Sequence, residues 1–109
     1  MRIIDTGITK EILTGDNHPQ LKIGDKCYTV DDRQITFEKI QEVQQEANLK
    51  ENERTNKIFE LALGKEATKE IQKMELSVTN FIYLTYCIMG AITGEDPKEL
   101  QKMAKERKN

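Results

Sequence analysis

The side chains able to do covalent, acid–base or metal chemistry are few and widely spaced. His18 is the one histidine of the 109-residue chain, and Cys27 and Cys87 are its two cysteines, with no CxxC and no neighbouring histidine. A zinc site takes about four N or S ligands, more than these three residues supply. Nucleophilic catalysis needs a nucleophile held by a base, usually His, and His18 stands in a turn beside Pro19 with no GxSxG elsewhere. The carboxylate pairs Asp31–Asp32 and Glu95–Asp96 have the side-chain type for general acid–base work. Each pair, however, precedes helical periodicity, where a carboxylate caps backbone N–H groups and faces the positive end of the helix dipole. The six glycines form neither GxxxxGK nor GxGxxG, so no phosphate cradle is visible. These residues point away from an enzyme, with no metal, cofactor or catalytic residue expected.

Binding chemistry has more candidates. Lys98, Lys102, Lys105, Arg107 and Lys108 form the basic concentration of the chain. It is diluted by Glu99 and Glu106 and has no aromatic residue for base stacking. It also belongs to an acidic chain of net charge -2 and pI about 5.5. Cations near a helix C-terminus favour the helix dipole without any ligand, so nucleic acid is not the expected partner. Tyr83 and Tyr86, three apart, have the apolar body and polar tip that interfaces favour, although tyrosines edging a core look the same. Met74, Met89 and Met103 suit an adaptable surface or plain core filling.

The elements that must position these groups can be read from periodicity. Leu21-Lys22-Ile23 and Cys27-Tyr28-Thr29-Val30 alternate about Gly24-Asp25, which predicts a β-hairpin. Ile8 to Leu13 offers a further strand and Gly15 to Pro19 a turn. After Asp31 and Asp32, either a candidate cap, the period changes to about 3.6. Phe37, Ile40, Val43 and Ala47 then define one face of a helix over residues 33–48. The polar stretch 48–56 predicts a loop, followed by a helix carrying Ile58, Leu61 and Ala62 that Gly64 ends in the left-handed conformation. A short helix with Ala67, Ile71 and Met74 comes next. Ser77 caps the uncharged run from Phe81 to Ile92, predicted to be the most buried helix and stopped by Gly94. Asp96-Pro97 opens a last helix whose strongly apolar residues are Leu100 and Met103.

Charged residues make up 33% of the chain and hydrophobic ones 37%, which suits one soluble domain with a modest core. The expected fold is mainly α (α+β): an N-terminal hairpin or small antiparallel ribbon over residues 1–32, a helical core over 33–94, and a peripheral C-terminal helix over 95–109. The first residues, Met1-Arg2-Ile3-Ile4-Asp5, reach an acidic group before any secretory apolar run, which predicts a cytoplasmic protein. Phe81 to Ile92 rises about 18 Å as a helix against a hydrocarbon core of about 30 Å, so no membrane span is expected.

The order of parts carries a resemblance. Tyr28-Thr29-Val30-Asp31 ends the hairpin and Phe37-Glu38-Lys39-Ile40 lies in the first helix. Leu63-Gly64-Lys65-Glu66-Ala67 makes a turn, Leu76-Ser77 opens the apolar helix, and Ile92-Thr93-Gly94-Glu95-Asp96-Pro97 closes it. Over residues 20–100 this layout resembles the tail assembly chaperones of long-tailed bacteriophages and related prophages of Gram-positive hosts. Met1 to Pro19 is longer than that family's pattern. The resemblance implies a non-enzymatic role: binding the long tape measure protein, keeping it soluble, and assisting tail tube protein to polymerise around it. It further implies action in the host bacterial cytoplasm, absence from the finished virion, and in many such phages a frameshifted extension that recruits the tube protein. The weakly anchored last helix makes Leu100 and Met103 the candidate partner-binding residues. The rival class is a small DNA-binding regulator or packaging component of the same kind of mobile element.

Overall fold

In a computed structural model of the chain, residues 2–10 and 18–107 are described, the side chains as far as Glu106. Among them a two-stranded antiparallel ribbon is followed by five helices, the mainly α architecture that the periodicity predicts. Strand β1 (Gln20–Ile23) pairs with β2 (Lys26–Thr29) in the register Leu21 to Tyr28 and Ile23 to Lys26, across the turn at Gly24-Asp25. Gly24 has φ +62°, a backbone region in which a side chain would be strained. The ribbon turns Leu21, Ile23 and Tyr28 inward, as period-two alternation requires. The strand expected over Ile8 to Leu13 and the turn over Gly15 to Pro19 lie largely outside the described residues.

Val30, fully buried, donates its N–H to Pro19 O at 2.9 Å, and Asp31 donates to Ala62 O at 2.8 Å. These two bonds fasten the hairpin exit to the helical body. Helix α1 (Gln34–Gln45) buries Thr36 and Ile40; it is shorter than expected, and Ala47 lies beyond it, exposed. Neither aspartate caps its first turn as expected. Asp31 accepts from the Arg33 backbone and guanidinium, at 3.1, 2.9 and 2.8 Å, while Asp32 pairs with His18. The Arg33 contacts hold the Asp31 carboxyl down at about 2.

Helix α2 (Glu51–Leu63) begins inside the polar stretch that was expected to be a loop. The physical reason is Arg54: its guanidinium reaches back to the carbonyls of Glu46 (2.7 Å), Val43 (3.3 Å) and Leu49 (3.4 Å), satisfying the end of α1 from the first turn of α2. Gly64 does end α2, but at φ 92°, ψ 162° rather than in the left-handed helical region. That extended, positive-φ conformation belongs almost exclusively to glycine, and it lets α3 (Lys65–Lys73) begin at once in a new direction. Helix α4 (Val78–Thr93) has the expected Ser77 cap, whose oxygen accepts the Asn80 N–H at 3.2 Å, and the expected Gly94 end at φ 82°. Helix α5 (Pro97–Arg107) folds back on α4, with Asp96 accepting the Lys98 N–H at 2.9 Å.

The core joins Val30, Ile40, Ile58, Phe59, Ala62, Ile71, Leu84 and Ile88, with the rings of Phe59 and Phe81 stacked 5.0 Å apart. No described side chain of α5 is buried. Its close approach to α4 runs through Gly90: a Cβ there would stand 2.5 Å from Glu95 O and 3.1 Å from Pro97 Cγ. Glycine in mid-helix costs about 1 kcal/mol relative to alanine, and here it makes room for the turn between two helices.

Candidate protein-binding groove

Helix α4 has no charged residue, and that predicted burial on most sides. Within Phe81 to Ile92 the structure buries Leu84, Ile88 and Gly90 and exposes only Ile82, at 47%; Val78, ahead of that run, is 76% exposed. The reason is geometric. Helices α2 and α5 flank α4 without covering its outer side, so Val78 and Ile82 are exposed there and the half-buried Tyr86 and Met89 continue the line at helical spacing.

Three adjoining depressions follow that stripe. One of about 610 Å³ lies against the first turns of α2, between Asn52, Thr55 and Val78, Phe81, Ile82. A second, about 300 Å³, is walled by Ile82 and Tyr86 on one side and Gln101, Ala104 and Lys105 on the other. The third, about 210 Å³, is formed by Tyr86, Met89, Leu100, Met103 and Ala104. Ile82 is shared by the first two and Tyr86 by all three, so they read as one groove along α4 with walls from α2 and α5.

The candidate residues Leu100 and Met103 therefore sit together at one end of this groove, Leu100 half-buried and Met103 44% exposed. Tyr86 and Met89 join them. Val78 and Ile82 were missed, although their spacing of four on an uncharged helix was visible. The missing signal was which side of α4 its neighbours leave bare. Met74 lies apart from the groove, just after α3, and is 38% exposed.

The groove offers apolar contact along Val78, Ile82 and Met89. Elsewhere on α4, outside the groove's lining, burial pushes the Cys87 thiol up and also raises the Tyr83 phenol. The groove's rims are polar and oppositely charged, with Glu51 on the α2 wall and Lys105 on the α5 wall. Cys27 is exposed on the outer face of β2, Cys87 is half-buried on α4, and both cysteines are free thiols.

The strongest charged cluster lies elsewhere, at the seam between ribbon and α3. Lys26 Nζ donates to both oxygens of Glu70 at 2.9 and 2.7 Å, and the Tyr28 hydroxyl donates to the same carboxylate at 3.0 Å. The Lys26 bond lowers the Glu70 pKa, and burial together with that carboxylate raises the Tyr28 phenol. These three bonds converge on one carboxylate and fasten the ribbon to α3. Among the described residues, no three His, Cys, Asp or Glu side chains gather as metal ligands, and no helix is long and apolar enough to cross a membrane.

No model of a known protein family matches this chain, and neither does any curated protein or solved structure. The groove is thus interpreted from its own geometry.

Proposed function

We propose that the protein is a non-enzymatic assembly chaperone that holds an amphipathic helix of its client in the α4–α5 groove. The observation that carries this reading is the apolar line Val78–Ile82–Tyr86–Met89 on an uncharged helix, exposed at Val78 and Ile82, half-buried at Tyr86 and Met89, and continued by Leu100 and Met103. From Val78 to Met89 the stripe rises about 16 Å, the length of roughly three turns of a docked helix. Apolar surface of this kind, rimmed by polar groups, marks a site of helix-in-groove recognition.

The sequence layout resembling phage tail assembly chaperones gives that client an identity. It is the tape measure protein, whose long helices need their apolar stripes covered until tail tube subunits surround them. On this reading the protein acts in the cytoplasm of the host bacterium and is absent from the finished virion. Co-expression with the tape measure protein of the same phage or prophage should raise that client's soluble yield in proportion to chaperone supplied. The reading fails if the client stays insoluble and unbound. Retardation of duplex DNA with a steep salt dependence would favour the DNA-binding regulator instead.

A further inference from the structure

The groove is open, and the same chain displays an unburied apolar arm. Ile3, Ile4 and Ile8 are 87%, 72% and 60% exposed, whereas Ile40, Ile58, Ile71 and Ile88 are all buried. The arm has local structure of its own. Asp5 Oδ1 accepts the Gly7 N–H at 2.9 Å, Thr6 Oγ1 accepts the Ile8 N–H at 3.2 Å, and Gly7 has φ +77°. This turn presents isoleucines on both sides of a bend. Among Arg2 to Lys10, three of the nine residues are isoleucine, and all three are exposed.

We propose that the arm seats in the α4–α5 groove of a second copy of the chain, which closes the groove when no client is present. The inference rests on the groove being a peptide-binding surface, as proposed above, but not on the client's identity. Two features favour the second copy. Among the described residues, none of the groove's lining comes from the arm, so Arg2 to Lys10 do not fill the groove of their own chain. Charges also match. Arg2 and Asp5 bracket Ile3-Ile4, and the groove floor is bracketed by Glu51 and Lys105. The Glu51 side chain is 90% exposed and pairs with Arg54 at 3.4 Å, leaving it room to share a second cation in Arg2, and Lys105 is exposed on the opposite wall to meet Asp5. Reciprocal exchange of two arms closes a symmetric dimer, and the arm then competes with the client for one surface.

Sedimentation velocity on the full chain across a wide concentration range tests this. The wild type should shift from monomer to dimer as concentration rises. Ile3→Asp with Ile4→Asp should abolish the shift, and so should Ile82→Asp, both without loss of helical circular dichroism. An equimolar mixture of the arm variant and the groove variant should regain association, since one intact arm then meets one intact groove. If Ile82→Asp unfolds, Val78→Asp, at a more exposed position, takes its place. A wild type that stays monomeric throughout overturns the inference, as does an arm variant that dimerises normally or a mixture that does not associate. Arm-dependent dimerisation without tape measure binding would leave the inference standing and remove the chaperone reading. Client binding by a permanently monomeric chain would do the reverse.

Discussion

Helices α3 and α4 reverse the usual link between charge and exposure. Helix α3 is nine residues long and carries Lys65, Glu66, Lys69, Glu70 and Lys73, yet it buries Ile71 and Thr68 completely enough to belong to the core. Helix α4 is sixteen residues long without a charge, yet Val78 and Ile82 face water. The charged helix is docked because its two inward residues are matched by Lys26 and Tyr28 of the ribbon gripping Glu70 at the rim. The uncharged helix is half-covered because its neighbours flank it. Apolar surface that a fold has the residues to cover, and does not, is where a partner is to be sought.

Breaking the buried side of α4 should have the largest effect. Ile88→Ala should cost about 2 to 5 kcal/mol through lost burial and a residual cavity, while Val78→Ala on the open side should stay within about 0.5 kcal/mol. Equal shifts in the denaturant midpoint would mean that the two sides of α4 do not differ as described.

Gly90→Ala comes next. The added Cβ would meet the Glu95 carbonyl, a backbone atom that gives way only if the α4–α5 turn opens. A net loss of about 1 to 3 kcal/mol is expected from this overpacking, in spite of alanine's better helix propensity. Nuclear Overhauser contacts between Tyr86 and Met103 should weaken in the same variant, because α5 must move. Stability unchanged or raised would show that the turn is looser than its geometry implies.

Leu100→Ser with Met103→Ser should lower client binding while leaving the thermal midpoint nearly unchanged, since neither side chain belongs to the buried core. If that double variant unfolds, α5 is part of the structural core and the groove lacks a separable wall.

Glu70 sharpens the α3 side of the comparison. Its pKa is lowered in the folded chain, chiefly by the Lys26 bond, so its contribution to stability is present above the usual carboxylate range. That contribution is lost as pH falls through the depressed folded value. Glu70→Gln should therefore flatten the acid limb of the stability profile and have its effect at neutral pH, with none at strongly acid pH. A variant whose acid limb matches the wild type would remove the seam as a source of pH dependence. The smallest effect belongs to Lys105→Ala, within about 0.5 kcal/mol in the denaturant midpoint.

The amino-acid sequence by itself determined the local grammar of this protein. Alternation about Gly24-Asp25 made the hairpin, Ser77 and Asp96 capped their helices, and Gly94 stopped α4, because each of these depends on residues within a few positions of one another. Non-local partners decided the rest. Arg54 drew α2 back into a polar stretch by capping α1, and Asp32 was taken up by His18 instead of the first turn of a helix. Leu100 and Met103 were legible as a weakly held apolar pair, but their junction with Tyr86 and Met89 was not. Periodicity shows that a helix has an apolar side; which part of that side stays open depends on where the neighbouring helices stop. On α4 that was decided by the room at Gly90 for α5 to turn back, and by α2 and α5 standing to either side of Ile82.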